Sequence, residues 1–402
     1  MDTNAFIELE KKVGAHNYAP LPVVLERGKG VWLWDIEGKK YLDLMSAYSA
    51  VSFGHCHPRI VAAMTGQINA LCVTSRAFHN NRLMPFLEKL CHVAHLDMAL
   101  PMNSGAEAVE TAIKAARKWG YEKKGIPDNK AEIIVAEQNF HGRTTTITGF
   151  SSEPSYKKHF GPFTPGFVKI PFADMTALKK AITANTCAVL FEPIQGESGI
   201  HLGQQGWLTE CRKICDENNV LMILDEIQSG LGRTGKMFAF EHEAVQPDGV
   251  IVGKALGGGV LAVSAFVAKR SVMDVYTPGI HGSTFGGNAL AARVGLEALN
   301  ILEDEHLLER SRDLGEVLMT ALKKIKSPLI HDIRGKGLWV GVEIAAKVPA
   351  SKVCYELMKK GVLTKEAHDT VIRFAPPLII EKADILWGIE QFEAALAALS
   401  SH

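Results

Sequence analysis

The chain has 402 residues, room for roughly two or three domains, and its 47% hydrophobic and 22% charged residues exclude a disordered chain. Its 44 basic residues balance 44 acidic ones, so it lacks the electrostatic footprint of a nucleic-acid binder. No apolar run approaches the ~20 residues of a membrane span. The seven cysteines are scattered, without a disulfide framework or zinc-like spacing, which fits a reducing compartment. The opening MDTNAFIELEKK has neither an apolar signal core nor an Arg-rich amphipathic pattern, so a cytoplasmic location is expected.

In chain order, residues 23–44 alternate between apolar and polar and carry two glycine turns, which predicts a small antiparallel hairpin. Ser104 and Glu107 have the capping-box spacing before a helix predicted over Ala106–Trp119. Strands are predicted at Glu132–Ala136, Cys187–Phe191, Val220–Leu224, Gly249–Val252 and Val263–Ala268, with a helix over Gly206–Asn218. Apolar runs separated by helices predict a largely parallel sheet covered on both faces, an α/β core. After about residue 296 the pattern becomes an interrupted helical stretch (Leu296–Lys324), a strand near Leu338–Ile344, a helix near Lys352–Lys360, a strand near Val371–Phe374 and a final helix. The expected division is an N-terminal segment, 1–48, a large domain, 49–295, and a C-terminal part, 296–402, with both termini building one smaller α+β domain.

Functional groups in open α/β sheets gather at the carboxyl ends of strands, and four features belong there. The strand ending at Asp225 runs into Glu226, Ile227 and Gln228; in extended geometry Asp225 and Ile227 would face the same way, though Asp225 taken alone also reads as a turn cap. The strand ending near Val252 is followed by Lys254 and then three glycines, 257–259. A lysine there is costly unless paired or used chemically, and burial makes its amine tunable; the glycines would let the backbone pass close to a ligand. Gly105 and Ala106 open the capped helix, where free N–H groups suit a phosphate. Phe140, His141 and Arg143 offer an aromatic face, a histidine read as packed or in a loop, and a guanidinium able to grip a carboxylate. One cofactor uses all four. Lys254 would join its carbonyl, Gly105 and Ala106 would hold its phosphate, Phe140 and Ile227 would sandwich its ring, and Asp225 would keep the ring nitrogen protonated. That cofactor is pyridoxal phosphate.

The segments DEIQSGLGRTG (225–235), GKALGGG (253–259), NSGAEA (103–108), FHGRT (140–144) and FEPIQGE (191–197) resemble the class III pyridoxal-phosphate aminotransferases, over nearly the whole chain. GAHNYAPLPVVLERGKG (14–30), the 46–58 segment ending in GHCHP, HGST (281–284) and RFAPPL (373–378) resemble most the ornithine-specific branch of that family. The resemblance implies a fold-type I architecture with a mostly parallel seven-stranded sheet, and a homodimer with active sites at the subunit interface. It implies transfer of the δ-amino group of L-ornithine to 2-oxoglutarate, giving glutamate-5-semialdehyde and glutamate. The alternative is another donor in the same family: acetylornithine, lysine, 4-aminobutyrate or putrescine.

By the same resemblance, Lys254 carries the cofactor and shuttles the proton, Asp225 pairs with the ring nitrogen and Gln228 reaches the ring hydroxyl. Ser283 and Thr284 would be phosphate ligands supplied by the neighbouring subunit. Tyr18 and Arg143 would hold the α-carboxylate of ornithine, with Tyr48 lining the pocket. Glu197 would pair with Arg373 while ornithine is bound and release it for the α-carboxylate of 2-oxoglutarate; without the resemblance the pair reads first as an ordinary ion pair. Glu192 would stand behind these groups. No metal is implied. Two segments depart from the family pattern: Leu261-Ala262 stands in place of Tyr-Pro, and Ser52-Phe53 in place of the common Asn-Gln.

Overall fold

Seven strands form the main sheet of the computed structural model, which describes residues 1–345 and 347–400. Their order across the sheet is Met98–Met102, Ser264–Ala268, Gly249–Val252, Leu221–Asp225, Thr186–Phe191, Glu132–Ala136 and Phe167–Ile170. Only Ser264–Ala268 runs antiparallel to its neighbours; the other pairings are parallel. The expected α/β sheet is therefore present. Its five central strands fall within one residue of their predicted positions, because strands covered on both faces are apolar throughout. The two edge strands were not anticipated. Met98–Met102 contains Pro101 and Phe167–Ile170 contains an exposed Lys169, residues that edges tolerate and that break an apolar run.

Helix Gly105–Glu122 lays Ala108, Ala112, Ala115, Ala116 and Trp119 on one face of the sheet. The predicted hairpin is a three-stranded meander, Leu25–Lys29, Trp32–Asp35 and Lys40–Asp43. Val362–Leu363 adds to it in parallel, so the two ends of the chain share one sheet. A second small antiparallel sheet joins Ile330–Gly335, Val340–Ile344, Val371–Phe374 and Glu366–Ala367. The interrupted helix is two, Ala289–Asp304 and Leu307–Lys324, broken at His306 with φ +51°. One apolar core runs from Leu256 and Val294 of the central part to Leu42, Leu338 and Phe374 of the terminal part. The carboxyl ends of the central strands open onto that junction. Among the described residues no helix is long and apolar enough to cross a membrane.

Candidate active site

A cavity of about 200 Å³ opens at the carboxyl ends of the central strands, lined by Gly105, Ala106, Phe140, Ile227 and Lys254 among others. Asp225 ends its strand and does two jobs. Its Oδ1 accepts the Ile227 N–H at 3.0 Å, and its Oδ2 accepts from His141 Nδ1 at 2.7 Å. Ile227 thus faces the cavity through this turn, not through strand alternation, since the strand stops at Asp225. His141 is a packed histidine, as the sequence suggested, but it is also the partner of Asp225. Burial lowers its pKa; the hydrogen bond and charge of Asp225, helped by Glu192, outweigh that and leave it raised. Glu192 accepts the Phe140 N–H at 3.0 Å and so fixes the aromatic ring's backbone. Its own carboxyl is pushed up to about 7 by burial, against the pull of His141.

Lys254 starts a short 3-10 turn after its strand, with φ +46°. Among the described residues no hydrogen bond or ion pair engages its ammonium group. Burial depresses its pKa, against the opposing charges of Glu197 and Asp225. Glycines 257–259 do not line the cavity: Gly258 and Gly259 turn the chain at φ +63° and +75°, packed on Ile60 and Val51. The expected capping box is present, with Ser104 and Glu107 bonded reciprocally at the start of helix Gly105–Glu122. The first N–H groups of that helix have no intrahelical acceptor, and Gly105 and Ala106, which carry two of them, line the cavity. Gln228 lines the cavity; its buried Nε2 has no full hydrogen bond, and its amide helps hold the Glu197 carboxyl low.

Beside this cavity lies a second group of side chains. Arg373 is fully buried on strand Val371–Phe374, and its two terminal nitrogens each stand 3.3 Å from a carboxylate oxygen of Glu197. Burial opposes ionisation of Glu197, but Arg373 and Lys254 together hold its carboxyl below the usual range. The Tyr48 ring centroid lies 4.8 Å from the Arg373 guanidinium. Tyr48 belongs to a turn in which Ser46, Ala47, Tyr48 and Ser49 all have positive φ, from 42° to 75°. A left-handed conformation costs L-residues about 1–2 kcal/mol each, so the turn needs outside support. Asp43 accepts the N–H groups of Met45 and Ser46, both at 2.8 Å, and the Ser46 hydroxyl donates to the Ala375 carbonyl at 2.6 Å. The fully buried Arg233 donates to the hydroxyls of Ser46 (3.2 Å) and Ser52 (2.9 Å) and to the carbonyls of Leu338 (3.0 Å) and Pro376 (2.6 Å). Burial pulls the Arg233 pKa down to about 9, against Asp43. Ser52, one of the two departures from the family pattern, is thus part of the clamp that shapes the Tyr48 turn.

The remaining predicted residues sit further out. Arg143 is exposed and stacks on Tyr156 at the mouth, where a wider groove of about 660 Å³ is lined by Phe140, Glu153, Tyr156 and Glu197. Tyr18 is 81% exposed and does not line the cavity, yet its phenol is near enough to help raise the pKa of Tyr48, which burial raises most. Ser283 accepts from Asn103 Nδ2 at 2.9 Å and from the Gly286 N–H at 3.1 Å; Thr284 is exposed beside it, and neither lines the cavity of its own chain. Sequence reasoning missed Tyr156 and the clamping role of Arg233. Arg233 lay inside a motif quoted above, but nothing local reveals which distant segments it joins.

Residues 13–396 match the family described as Aminotransferase class-III. The chain is a class III aminotransferase. It is 56% identical to an ornithine aminotransferase of Halalkalibacterium halodurans over 97% of both chains. Among solved structures, it superposes on the ornithine aminotransferase of Toxoplasma gondii with a TM-score of 0.98 at 40% identity, covering 100% of this chain and 95% of that one. It superposes on an acetylornithine aminotransferase of Elizabethkingia anophelis with a TM-score of 0.90 at 45% identity, covering 99% of this chain and 100% of that one.

Class III aminotransferases use pyridoxal phosphate, and the residues of this one fit that group. The cavity offers an unpaired amine at Lys254, helix N–H groups at Gly105 and Ala106, the Gln228 amide, whose Nε2 has no full hydrogen bond, and the Asp225 carboxylate backed by His141. A Cβ at Gly105 would meet Ile227 Cδ1 at 2.9 Å, so glycine leaves the helix start open beside that wall.

Proposed function

We propose that this aminotransferase transfers the δ-amino group of L-ornithine to 2-oxoglutarate, yielding glutamate-5-semialdehyde and glutamate, with pyridoxal phosphate as cofactor. The observation that carries the reading is the two-pronged Glu197–Arg373 pair beside Lys254. When bound, pyridoxal phosphate supplies a carbonyl that amines can join and a protonated pyridine ring that takes up electrons from the bond being broken. Lys254 holds the cofactor and moves the proton at the reacting carbon, a task suited to an amine whose pKa burial has lowered. Asp225, steadied by His141, holds the proton at the ring nitrogen. Phe140 and Ile227 would sandwich the ring between them, and Gln228 would reach its hydroxyl.

The rest of the site selects the substrate. Arg143 and Tyr18 hold the α-carboxylate of ornithine, so the distal amine reaches Lys254. Glu197 meanwhile hides the charge of Arg373, which would otherwise capture that carboxylate and present the wrong amine. When the pair opens, Arg373 receives the α-carboxylate of 2-oxoglutarate and Arg143 its distal one. Tyr48 lines the pocket against Arg373. Glu192 supports Phe140 from behind.

The enzyme acts as a homodimer in this reading. Support comes from the exposed Leu71, Val73, Phe78, Ile280 and Phe285, which flank Ser283 and Thr284 on two segments joined by a hydrogen bond from the Ala289 N–H to the Cys72 carbonyl. Such a surface suits an interface, across which Ser283 and Thr284 reach the phosphate of the other subunit. We retain the division at 48/49 and 295/296 as the boundary between the smaller and larger domains.

A panel of donors tests the substrate. Ornithine should react with 2-oxoglutarate faster than acetylornithine, lysine, 4-aminobutyrate or putrescine; a faster acetylornithine rate, as the similarity to the E. anophelis enzyme would favour, replaces the assignment. Lys254→Ala should lose turnover while still binding the cofactor non-covalently. Borohydride reduction followed by peptide mapping should label Lys254 alone, and a label elsewhere refutes its role.

A further inference from the structure

We infer that Tyr156 is the positioning residue for Arg143: it fixes the guanidinium plane at the mouth of the site and thereby sets the demand for a carboxylate on both substrates. The inference rests on the role given to Arg143 above. Arg143 is exposed and makes no ion pair among the described residues. A free arginine of that kind samples many rotamers and would lose that freedom each time it captured a carboxylate. Here its guanidinium carbon stands 3.5 Å from the centroid of the Tyr156 ring and 5.5 Å from that of Phe140. Stacking occupies the face of the guanidinium and leaves its edge, the N–H fork, free for an anion.

The platform is itself held in place. Tyr156 ends the short turn Pro154–Tyr156, in which the Glu153 carboxylate accepts the Ser155 N–H at 3.1 Å and the Ser155 hydroxyl at 2.9 Å. Its ring meets Phe140 edge to face, with centroids 6.5 Å apart and planes at 80°. Phe140 also lines the cofactor cavity, and its backbone is fixed by Glu192. One chain of contacts therefore runs from the cavity wall through Phe140 and Tyr156 to the fork of Arg143. It sets the distance between the reacting end of a substrate and its carboxylate end. Glu153 does not neutralise the arginine: its carboxyl, held low chiefly by its bonds to Ser155, feels Arg143 only as a distant charge.

The test compares the holoenzyme with Tyr156→Leu and Tyr156→Phe. Tyr156→Leu should raise KM for ornithine and for 2-oxoglutarate together, about 2- to 30-fold, the range of a cation–π contact, with kcat nearly unchanged. Tyr156→Phe, which keeps the ring face, should restore most of the loss. Glutarate, a dicarboxylate that cannot react, should bind Tyr156→Leu more weakly by calorimetry in the same proportion. The slow turnover of putrescine, which has no carboxylate, should not change. Wild-type KM values in Tyr156→Leu overturn the inference, as does an equal loss with putrescine, which would make Tyr156 a support of the cofactor wall only. If the unaltered enzyme ignores ornithine, the donor assignment falls, while the 2-oxoglutarate and glutarate measurements still decide the role of Tyr156.

Discussion

Replacing Glu197 by alanine tests the selection of one amine over the other. In the native chain the Arg373 guanidinium has two contacts to Glu197, each 3.3 Å long, and its Nε has no partner. The arginine side chain is 1% exposed and the glutamate side chain 25%, so water reaches the acid more easily than the base. Removing the acid leaves a buried guanidinium uncompensated, and the nearest remedy is a substrate carboxylate. A hydrogen bond to a charged group contributes about 1.5–3 kcal/mol net. Capture of an α-carboxylate by the freed Arg373 should therefore favour reaction at the α-amine by about 10- to 150-fold. The assay is single-turnover reaction of the cofactor-loaded enzyme with ornithine and, separately, with glutamate, followed by cofactor absorbance. The ratio of the two rate constants should move towards glutamate by that factor, and ornithine should begin to yield the product of α-amine transfer. An unchanged ratio, with normal cofactor loading, would show that Glu197 and Arg373 are a structural pair and that selection lies elsewhere.

Two further outcomes follow from the same structure. Burial pushes the Glu226 carboxyl up to about 7, against the bonds it accepts from Ser229 and the 239–240 backbone. A carboxyl with a folded pKa above its unfolded value of about 4.3 contributes stability that is complete below pH 4 and is lost as pH rises through about 7. Glu226→Gln keeps the shape and removes the charge, so its stability advantage should grow from pH 5 to pH 8, reaching about 1–3 kcal/mol in denaturant titrations. The same difference at both pH values would refute an ionising Glu226. At Gly196, an added Cβ would lie 2.1 Å from Gln228 Oε1 and 2.5 Å from Trp339 Cζ2. Because Trp339 is wholly buried, the glutamine must move, and Gly196→Ala should weaken pyridoxal phosphate binding by about 2- to 10-fold in an absorbance titration. Native affinity would mean that Gln228 does not hold the ring.

The central strands, the capped helix and the lysine at the end of its strand were all legible from the chain of residues. Each leaves a local trace: two-sided burial writes an unbroken apolar run, and orphan N–H groups call for Ser104 and Glu107 at fixed spacing. Other features leave no such trace. The left-handed turn under Tyr48 contains no glycine, and its bonds to the distant Arg233 and Ala375, with those from Asp43, help hold it. The edge strands take their pairing from neighbours rather than from their own pattern. The partnership of His141 with Asp225 spans 84 residues and that of Glu197 with Arg373 spans 176. Residue order alone determined the α/β core and the chemistry at its strand ends, because hydrogen-bonding period and burial act over a few neighbouring residues. Tertiary structure decided which arginine is hidden and which holds a strained turn, because those fates depend on segments that meet only when the two ends of the chain close over the central sheet.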